Sequence, residues 1–375
     1  MAKKQACRVR NCCQICAARY LVNQSGRRFV ADCSPQQTCA VQTVMPQFSG
    51  LHSSKHPPPQ RSSKLGDTYW KLAIASMSNI PSPDFTPRLI VRRLSVDLST
   101  PMRRHWNGGD AFLTAFYNAL SFSFPEGEQF FIESVRNGVQ HLDAETCNPA
   151  FHDTIQGFIG QEATHRHLHA QYNIQLEAQG LKNHWGPRIV KRKTRARRLF
   201  LKSTKRHLHE LAITAGYEHF TSVLGDLTLQ SIGKESDWLQ DADTSQQTLW
   251  RWHAAEECEH KAVAFDLYQQ LGGNHTWRLL WVVYLSIHFT TDVIRQTINN
   301  LWHDRTLHKP STWWSAVKFC FGRYGWLWRC TPRFAAYFRK DFHPNQMGSE
   351  KHMREWQETN KSQWQAVGSP TAQET

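Results

Sequence analysis

Two copies of a Glu-x-x-His motif, on separate and long helical segments, limit what this chain can fold into. Glu162 and His165 form one copy, and Glu257 and His260 form the other. Residues three apart on a helix differ by about 300° around its axis, so each pair projects from one face and can bind one metal ion. A four-helix bundle that takes such a pair from two helices, and one Glu from each of the other two, encloses two metal ions.

The two single carboxylates that this arrangement requires are expected upstream of each motif. Glu128 lies 34 residues before the first motif and Glu218 lies 39 residues before the second, and both have aromatic neighbours. A carboxylate in apolar surroundings is costly unless it is paired or ligated. The alternatives are Glu126 and Glu133 for the first position and Glu210 for the second.

His253 extends the second motif, which reads His-x-x-x-Glu-x-x-His. These three side chains fall within one narrow stripe of a helix. The predicted metal ligands are Glu128, Glu162, His165, Glu218, His253, Glu257 and His260. Four carboxylates and three imidazoles suit two iron ions, with manganese or zinc as alternatives. A hydrogen bond from His253 to a ligand is the alternative role for that residue.

The pattern around these motifs is helical almost without interruption. Helices are predicted over 110–138 (with a kink or restart at Pro125), 148–180, 195–229 and 244–272, with further helical stretches at 277–302 and 311–340. No alternating strand pattern is present. We therefore predict an all-α fold, a four-helix bundle over 87–275 with additional Trp- and Arg-rich helices over 276–340 and a polar tail over 341–375.

Other residues near the motifs have simpler interpretations. Glu256 and Glu259 are expected to be solvated partners of Arg251 or Lys261. Cys258 is expected to pack in the core, because it points about 100° away from Glu257.

The first 86 residues are predicted to be a Cys-rich, basic and disordered extension. Six of the ten cysteines lie within the first forty residues. Cys13 and Cys16 form a CxxC pair, as in many zinc sites, but no second CxxC and no spaced His pair that would complete such a site lies nearby. Residues 49–64 have almost no apolar periodicity, which is typical of a linker.

Charge and tryptophan content indicate anionic partners. The net charge is +14, and ten Lys or Arg residues lie between positions 188 and 206. Nucleic-acid binding is not favoured, because no recognised reading motif accompanies this run. Nine of the fifteen tryptophans follow residue 276, which suits peripheral membrane contact as well as a cover for the bundle. No secretory signal or membrane span is predicted, so we expect a cytoplasmic protein that can lie peripherally at the inner face of a membrane.

Four strings carry a resemblance to a known family, namely FPEGEQFF, FIGQEATHRHLH, GYEHFT and WHAAEECEHKAVAFDLY. They resemble the predicted metal-dependent hydrolases over roughly residues 87–340. The His-x-x-x-Glu-x-x-His string is also similar to the di-iron N-oxygenases of the p-aminobenzoate type, whose ferritin-like bundle carries an extra histidine ligand there. The resemblance implies Glu128, Glu162 and His165 on one half of the site and Glu218, His253, Glu257 and His260 on the other.

The expected function is that of a di-iron enzyme that activates dioxygen to oxidise a small organic or lipid-like substrate, because carboxylate-rich bundle sites bind redox metals. The alternative is a metal-dependent hydrolase in which a hydroxide bridging the metals attacks the substrate. Two functions of different classes also stay open, namely iron storage, and membrane or nucleic-acid binding by a basic protein. We also expect a homodimer and, for the oxidation, an electron-donating reductase.

Overall fold

The computed structural model describes residues 89–143, 148–200 and 202–367, and these form an all-α fold with one small sheet. In chain order the elements are β1 (Arg92–Leu94), α1 (Ala111–Val139), α2 (Pro149–Ala178), α3 (Trp185–Leu199), α4 (Arg206–Ser231), α5 (Thr244–His260), α6 (Val263–Gln270), α7 (His275–His303), α8 (Pro310–Phe321), α9 (Trp326–Ala336), α10 (Glu350–Thr359) and β2 (Trp364–Ala366). The predicted extension over 1–86, with its Cys13–Cys16 pair, lies outside the described residues.

Helices α1, α2, α4 and α5 form a bundle in which α1 packs along α2 and α4 packs along α5. Their buried apolar side chains form two large clusters, one towards each end of the bundle. On α1, Phe122 belongs to one cluster and Phe130 to the other. On α2, the corresponding residues are Tyr172 and Phe158. The acidic and imidazole side chains of the motifs therefore lie between two apolar layers that exclude water.

Helix α1 is continuous through Pro125, where the sequence predicts a kink or restart. Proline has no N–H, so the carbonyl of Ser121, one turn earlier, loses its helical donor. Asn173 on α2 replaces this donor, because its Nδ2 donates to the Ser121 carbonyl over 2.9 Å. A side chain of the neighbouring helix thus compensates for the proline.

The two-stranded sheet pairs β1 with β2 in antiparallel orientation, with Arg93 opposite Gln365. Strands of three residues are too short to show a two-residue alternation, which explains why no strand is predicted. The chain before β1 crosses α2 at two glycines. A Cβ at Gly157 would lie 2.5 Å from the Leu89 Cβ, and one at Gly160 would lie 2.3 Å from Val91 Cγ2. This close crossing brings β1 to the bundle.

Two of the predicted long helices are interrupted. The helix predicted over 195–229 is divided, because the Ser203 hydroxyl accepts a hydrogen bond from the N–H of Lys205 and competes with helical pairing. The helix predicted over 244–272 ends at His260 and resumes as α6. At this break Lys261 is buried, and its Nζ donates to Ser349 Oγ over 2.6 Å and to Glu350 over 2.9 Å. The sequence does not reveal this tertiary contact.

The chain after residue 275 continues in helices. Helix α7 packs against α1 and α4, and the stretch predicted over 311–340 is divided into α8 and α9. The segment predicted as a polar tail contains α10 and β2. No helix among the described residues combines the length and the apolar character that crossing a membrane requires.

Candidate metal centre

Seven buried residues from four helices meet in the middle of the bundle, and none is more than 3% exposed. We call them the Glu/His cluster: Glu128 (α1), Glu162 and His165 (α2), Glu218 (α4), and His253, Glu257 and His260 (α5). The cluster contains two sets of side chains that could each hold a metal ion. Within each set, the potential ligand atoms all lie within 4.8 Å of one another. The first set is Glu162, His165, Glu257 and His260, and the second is Glu128, His165 and His253.

Glu257 is the central member of the cluster. Its Oε1 lies 2.8 Å from His253 Nε2, 3.5 Å from His165 Nδ1 and 3.9 Å from His260 Nε2. All three imidazoles of the cluster therefore surround one carboxylate oxygen. Such a carboxylate can contact two ions at once.

The contacts divide the rest of the cluster into two ends. At one end, His260 Nδ1 lies 2.8 Å from Glu218 Oε2 and its Nε2 lies 3.5 Å from Glu162 Oε1. At the other end, His253 Nε2 lies 3.8 Å from Glu128 Oε1. This grouping differs from the two halves that the resemblance implies, because His253 faces α1 and His260 faces α4. Glu218 is the one predicted ligand outside both converging sets.

The cluster is rich in atoms without a hydrogen-bond partner. Both carboxylate oxygens of Glu128 and of Glu162 lack one, as does one oxygen each of Glu218 and Glu257. His165 Nδ1 and His260 Nε2 also lack a partner. No described Lys or Arg side chain forms an ion pair with any of the four carboxylates. Buried carboxylates without partners are strongly unfavourable, so this donor set fits divalent cations.

Burial also controls the protonation of the cluster. It raises the pKa of Glu128 and Glu162 well above the ordinary value, and the neighbouring carboxylates raise that of Glu162 further. Burial raises the pKa of Glu218 to about 7. Although burial opposes it, hydrogen bonding to Glu256 raises the pKa of His165 to about 10. Burial thus makes Glu128, Glu162 and Glu218 hold a proton more tightly than exposed carboxyls do.

Metal binding to the metal-free protein is expected to release at least about one proton per chain near pH 7, because a cation and a proton compete for the same atoms. Since the pKa values of Glu128, Glu162 and Glu218 are raised, these carboxyls lose their protons only as the pH increases. Affinity for Zn²⁺ or Mn²⁺ should therefore increase with pH through the neutral range. Calorimetry in buffers of different ionisation enthalpy measures the proton count. Binding without proton release would contradict this assignment.

Contacts behind the cluster fix the orientation of His165. Its Nε2 lies 2.9 Å from Glu256 Oε2, which leaves Nδ1 directed into the cluster. Arg92 on β1 donates to Glu256 over 3.2 Å and to Glu259 over 2.6 Å. Gln161 also donates to Glu259, over 2.7 Å. A carboxylate behind a metal-binding imidazole selects its tautomer and increases its basicity.

The expected pairing of Glu256 and Glu259 with Arg251 or Lys261 is wrong. Glu256 is fully buried, and Glu259 is bonded to Arg92. Arg251 instead donates to Asp237 over 2.7 Å. The sequence does not show that β1 and α2 cover this face of α5.

Replacing Glu256 by Gln is expected to lower metal affinity by about 10–100-fold while the protein remains folded. The amide keeps the shape of the side chain but removes the charge that orients His165 and pairs with Arg92. Competition with a chromogenic chelator measures the affinity. Glu355→Gln, on the exposed side of α10, is the matched control and should bind metal like the unaltered protein.

His253 has a similar support from α2. Its Nδ1 lies 2.7 Å from His169 Nε2, and His169 Nδ1 lies 2.9 Å from Ser121 Oγ. His169 is fully buried, and no role is predicted for it from the sequence. Its position four residues after His165, on the same helix face, was the available signal. His253 thus presents Nε2 to Glu257 and Glu128.

The alternative carboxylates lie outside the cluster. Glu133 pairs with Arg197 over 2.5 Å, and Glu210 lies 3.5 Å from Arg206 Nε. Glu126 is half-buried and belongs to neither converging set. Cys258 is buried, and its Sγ lies 3.7 Å from the carbonyl of Ser222.

A cavity of about 610 Å³ reaches the cluster between α1, α3, α4 and α7. Its walls are mainly apolar and aromatic, with Phe131, Tyr217 and Trp281 among them. The Glu128 carboxylate also lines it. A cavity of this size and character is typical of a binding site for a small apolar molecule, which would lie beside the cluster.

A family model described as predicted metal-dependent hydrolase matches residues 90–348, about two thirds of the chain, and this range includes the whole Glu/His cluster. No curated protein matches the chain. No solved structure matches it.

Proposed function

Since the chain belongs to the family of predicted metal-dependent hydrolases, we propose that it hydrolyses an apolar ester or amide at two metal ions held by the Glu/His cluster. The observation that carries the proposal is the position of Glu128, whose carboxylate belongs to the cluster and also lines the apolar cavity. A substrate in the cavity would therefore lie next to the ions. Bound divalent ions supply Lewis acidity, which polarises an acyl oxygen and lowers the pKa of water.

Each part of the cluster has a distinct task in this proposal. Glu162, Glu218 and His260 would bind the ion at one end of the cluster. Glu128 and His253 would bind the ion at the other end. His165 and Glu257 lie between the ends and contribute to both. The hydrogen bond that His165 donates to Glu256 and the one between His169 and His253 keep these imidazoles in position without metal. A site organised in advance loses less entropy when substrate binds.

The cavity supplies the remaining requirements. Its aromatic walls bind the apolar part of a substrate and exclude bulk water, which strengthens electrostatic interactions at the cluster. Thr221 also lines it, but its hydroxyl donates to the backbone carbonyls of Tyr217 and Glu218 at 3.2 Å. Most of the cavity wall is apolar, which favours acyl chains or aromatic rings over sugars.

The test uses protein loaded with Zn²⁺, Mn²⁺ or Fe²⁺ under nitrogen. At least one form is expected to hydrolyse p-nitrophenyl esters without dioxygen, with a preference for longer acyl groups. A chelator should abolish the activity, and added metal should restore it. Absence of hydrolysis with every metal, or hydrolysis that survives complete metal removal, would contradict the proposal.

The third imidazole favours a second candidate, the dioxygen-dependent oxidation of the same class of substrate. His253 Nε2 enters the cluster. A set of four carboxylates and three imidazoles is better suited to binding a redox metal than to binding structural zinc. This is the ligand pattern that resembles the di-iron N-oxygenases. The oxidation also needs an external electron donor. Dioxygen consumption by the Fe²⁺ form with a chemical reductant, together with no anaerobic ester cleavage, would favour this candidate over hydrolysis.

A further inference from the structure

Helix α7 carries a row of apolar side chains that stay largely exposed in the described part of the chain. We call Trp277, Leu280, Tyr284, Ile287, Ile294 and Ile298 the α7 row, and each of them is 40–62% exposed. Spacings of three, four and seven residues place them on one side of the helix. The helix is about 43 Å long at 1.5 Å per residue, so the row is extended rather than local. An exposed apolar surface of this length marks an interaction site.

The cavity opens at this row. Trp277, Leu280 and Tyr284 line the cavity and are also exposed. Across the opening, Leu199 on α3 lines the cavity and is 74% exposed. The path to Glu128 therefore begins between α3 and α7, within the apolar surface itself.

Positive charge borders the opening. Residues 185–206 contain ten Lys or Arg and no Asp or Glu. Arg188 and Arg192 both pair with Asp292 on α7. Lys191, Arg195 and Arg198 are exposed, and no described carboxylate forms an ion pair with them. Arg195 also lines the cavity. The edge of the α7 row thus presents cations that have no partner in the described fold.

We propose that the α7 row and the unpaired cations of α3 form a docking face for an anionic lipid bilayer, from which an acyl chain enters the cavity. A bilayer surface is negatively charged outside and apolar beneath, which matches this face in both respects. A second copy of the chain is less suitable, because two copies related by a twofold axis would bring like charges together and close the cavity. The assignment of a lipid substrate rests on the proposed function, whereas docking does not.

Vesicle co-sedimentation of the full chain tests the docking face, with metal-loaded and metal-free protein. We expect binding to phosphatidylcholine vesicles that contain phosphatidylglycerol and weaker binding to phosphatidylcholine alone. The double variant Ile287→Asp/Ile294→Asp should bind at least about tenfold more weakly at all salt concentrations, because it removes apolar insertion. Ile174→Asp, a 65% exposed isoleucine on α2, is the matched control and should bind like the unaltered protein.

A second pair of variants tests the charges. Lys191→Glu/Arg198→Glu should bind anionic vesicles about tenfold more weakly at low salt, with little difference at high salt. Arg354→Glu, an exposed arginine on α10, is its control. Circular dichroism and thermal melting confirm that each variant is folded.

Three outcomes would overturn the docking proposal. The first is that the unaltered protein does not bind anionic vesicles. The second is that Ile287→Asp/Ile294→Asp binds these vesicles as well as the unaltered protein does. The third is that the unaltered protein forms a dimer without lipid and this variant does not. The proposed function fails separately. Vesicle binding without any ester hydrolysis would refute the enzymatic proposal alone, and hydrolysis of soluble short esters without vesicle binding would refute docking alone.

Discussion

Replacing Glu257 by Gln is expected to lower the bound metal at least about tenfold and to abolish hydrolysis. Glu257 Oε1 faces all three imidazoles of the Glu/His cluster, at 2.8–3.9 Å. The amide retains the shape of the side chain but removes a negative charge that would help to bind the ions. Because both ends of the cluster depend on this residue, we expect both ions to be lost. Elemental analysis of the purified variant measures the effect.

The loss of metal also has consequences for stability and rate. Metal that binds only the folded state raises the melting temperature, and Glu257→Gln should not show this increase. Without the ions, kcat/KM for esters should fall at least about a thousandfold, since Lewis acidity contributes several kcal/mol to such reactions.

Glu259→Gln is the matched control on the same helix. Glu259 lies two residues further along α5 and bonds to Arg92 and Gln161, outside the cluster. We expect it to retain its metal content. Loss of metal in Glu259→Gln with retention in Glu257→Gln would show that the opposite face of α5 binds the ions.

The meeting of the seven side chains could be predicted because helix periodicity is local. A Glu and a His three residues apart share a face whatever surrounds the helix. Since buried carboxylates need partners, the four helices could be combined into one site from sequence alone. The all-α class followed from the same periodicity.

The supporting residues could not be predicted, because they depend on how distant segments pack. Arg92 lies on a strand of three residues with no periodic signal, and it reaches Glu256 across 164 positions of sequence. Glu256 lies three residues after His253 and four before His260, so its spacing places it beside their face of α5, but it does not show which segment covers it. Arg92 contacts Glu256 because the chain before β1 passes close to α2 at Gly157 and Gly160.

The helix boundaries show the same limit. The continuation of α1 through Pro125 depends on Asn173, which lies 52 positions after Ser121, the residue whose carbonyl it satisfies. The end of α5 coincides with contacts from Lys261 to Ser349 and Glu350. Each of these features is a tertiary contact that overrides local preference.

Replacing Gly127 by Phe is expected to block the cavity while metal remains bound. Gly127 precedes Glu128 on α1 and lines the cavity, and a Cβ there would have no atom within 4 Å. The aromatic ring can therefore enter the cavity without displacing the helix. We expect kcat/KM for long-chain esters to fall at least about a hundredfold, because the substrate can no longer reach the reactive position. Elemental analysis should show unchanged metal.

Gly127→Ala separates the effect of cavity volume from that of the backbone. It adds one methyl group in open space and should stabilise the folded protein by about 0.5–1 kcal/mol, since alanine favours the helix. We expect its activity on long and short esters to be nearly unchanged. In Gly127→Phe, short esters should be affected less than long ones, because they need less of the cavity. If Gly127→Phe hydrolysed long and short esters as fast as the unaltered protein does, substrates would have to reach the Glu/His cluster by another route.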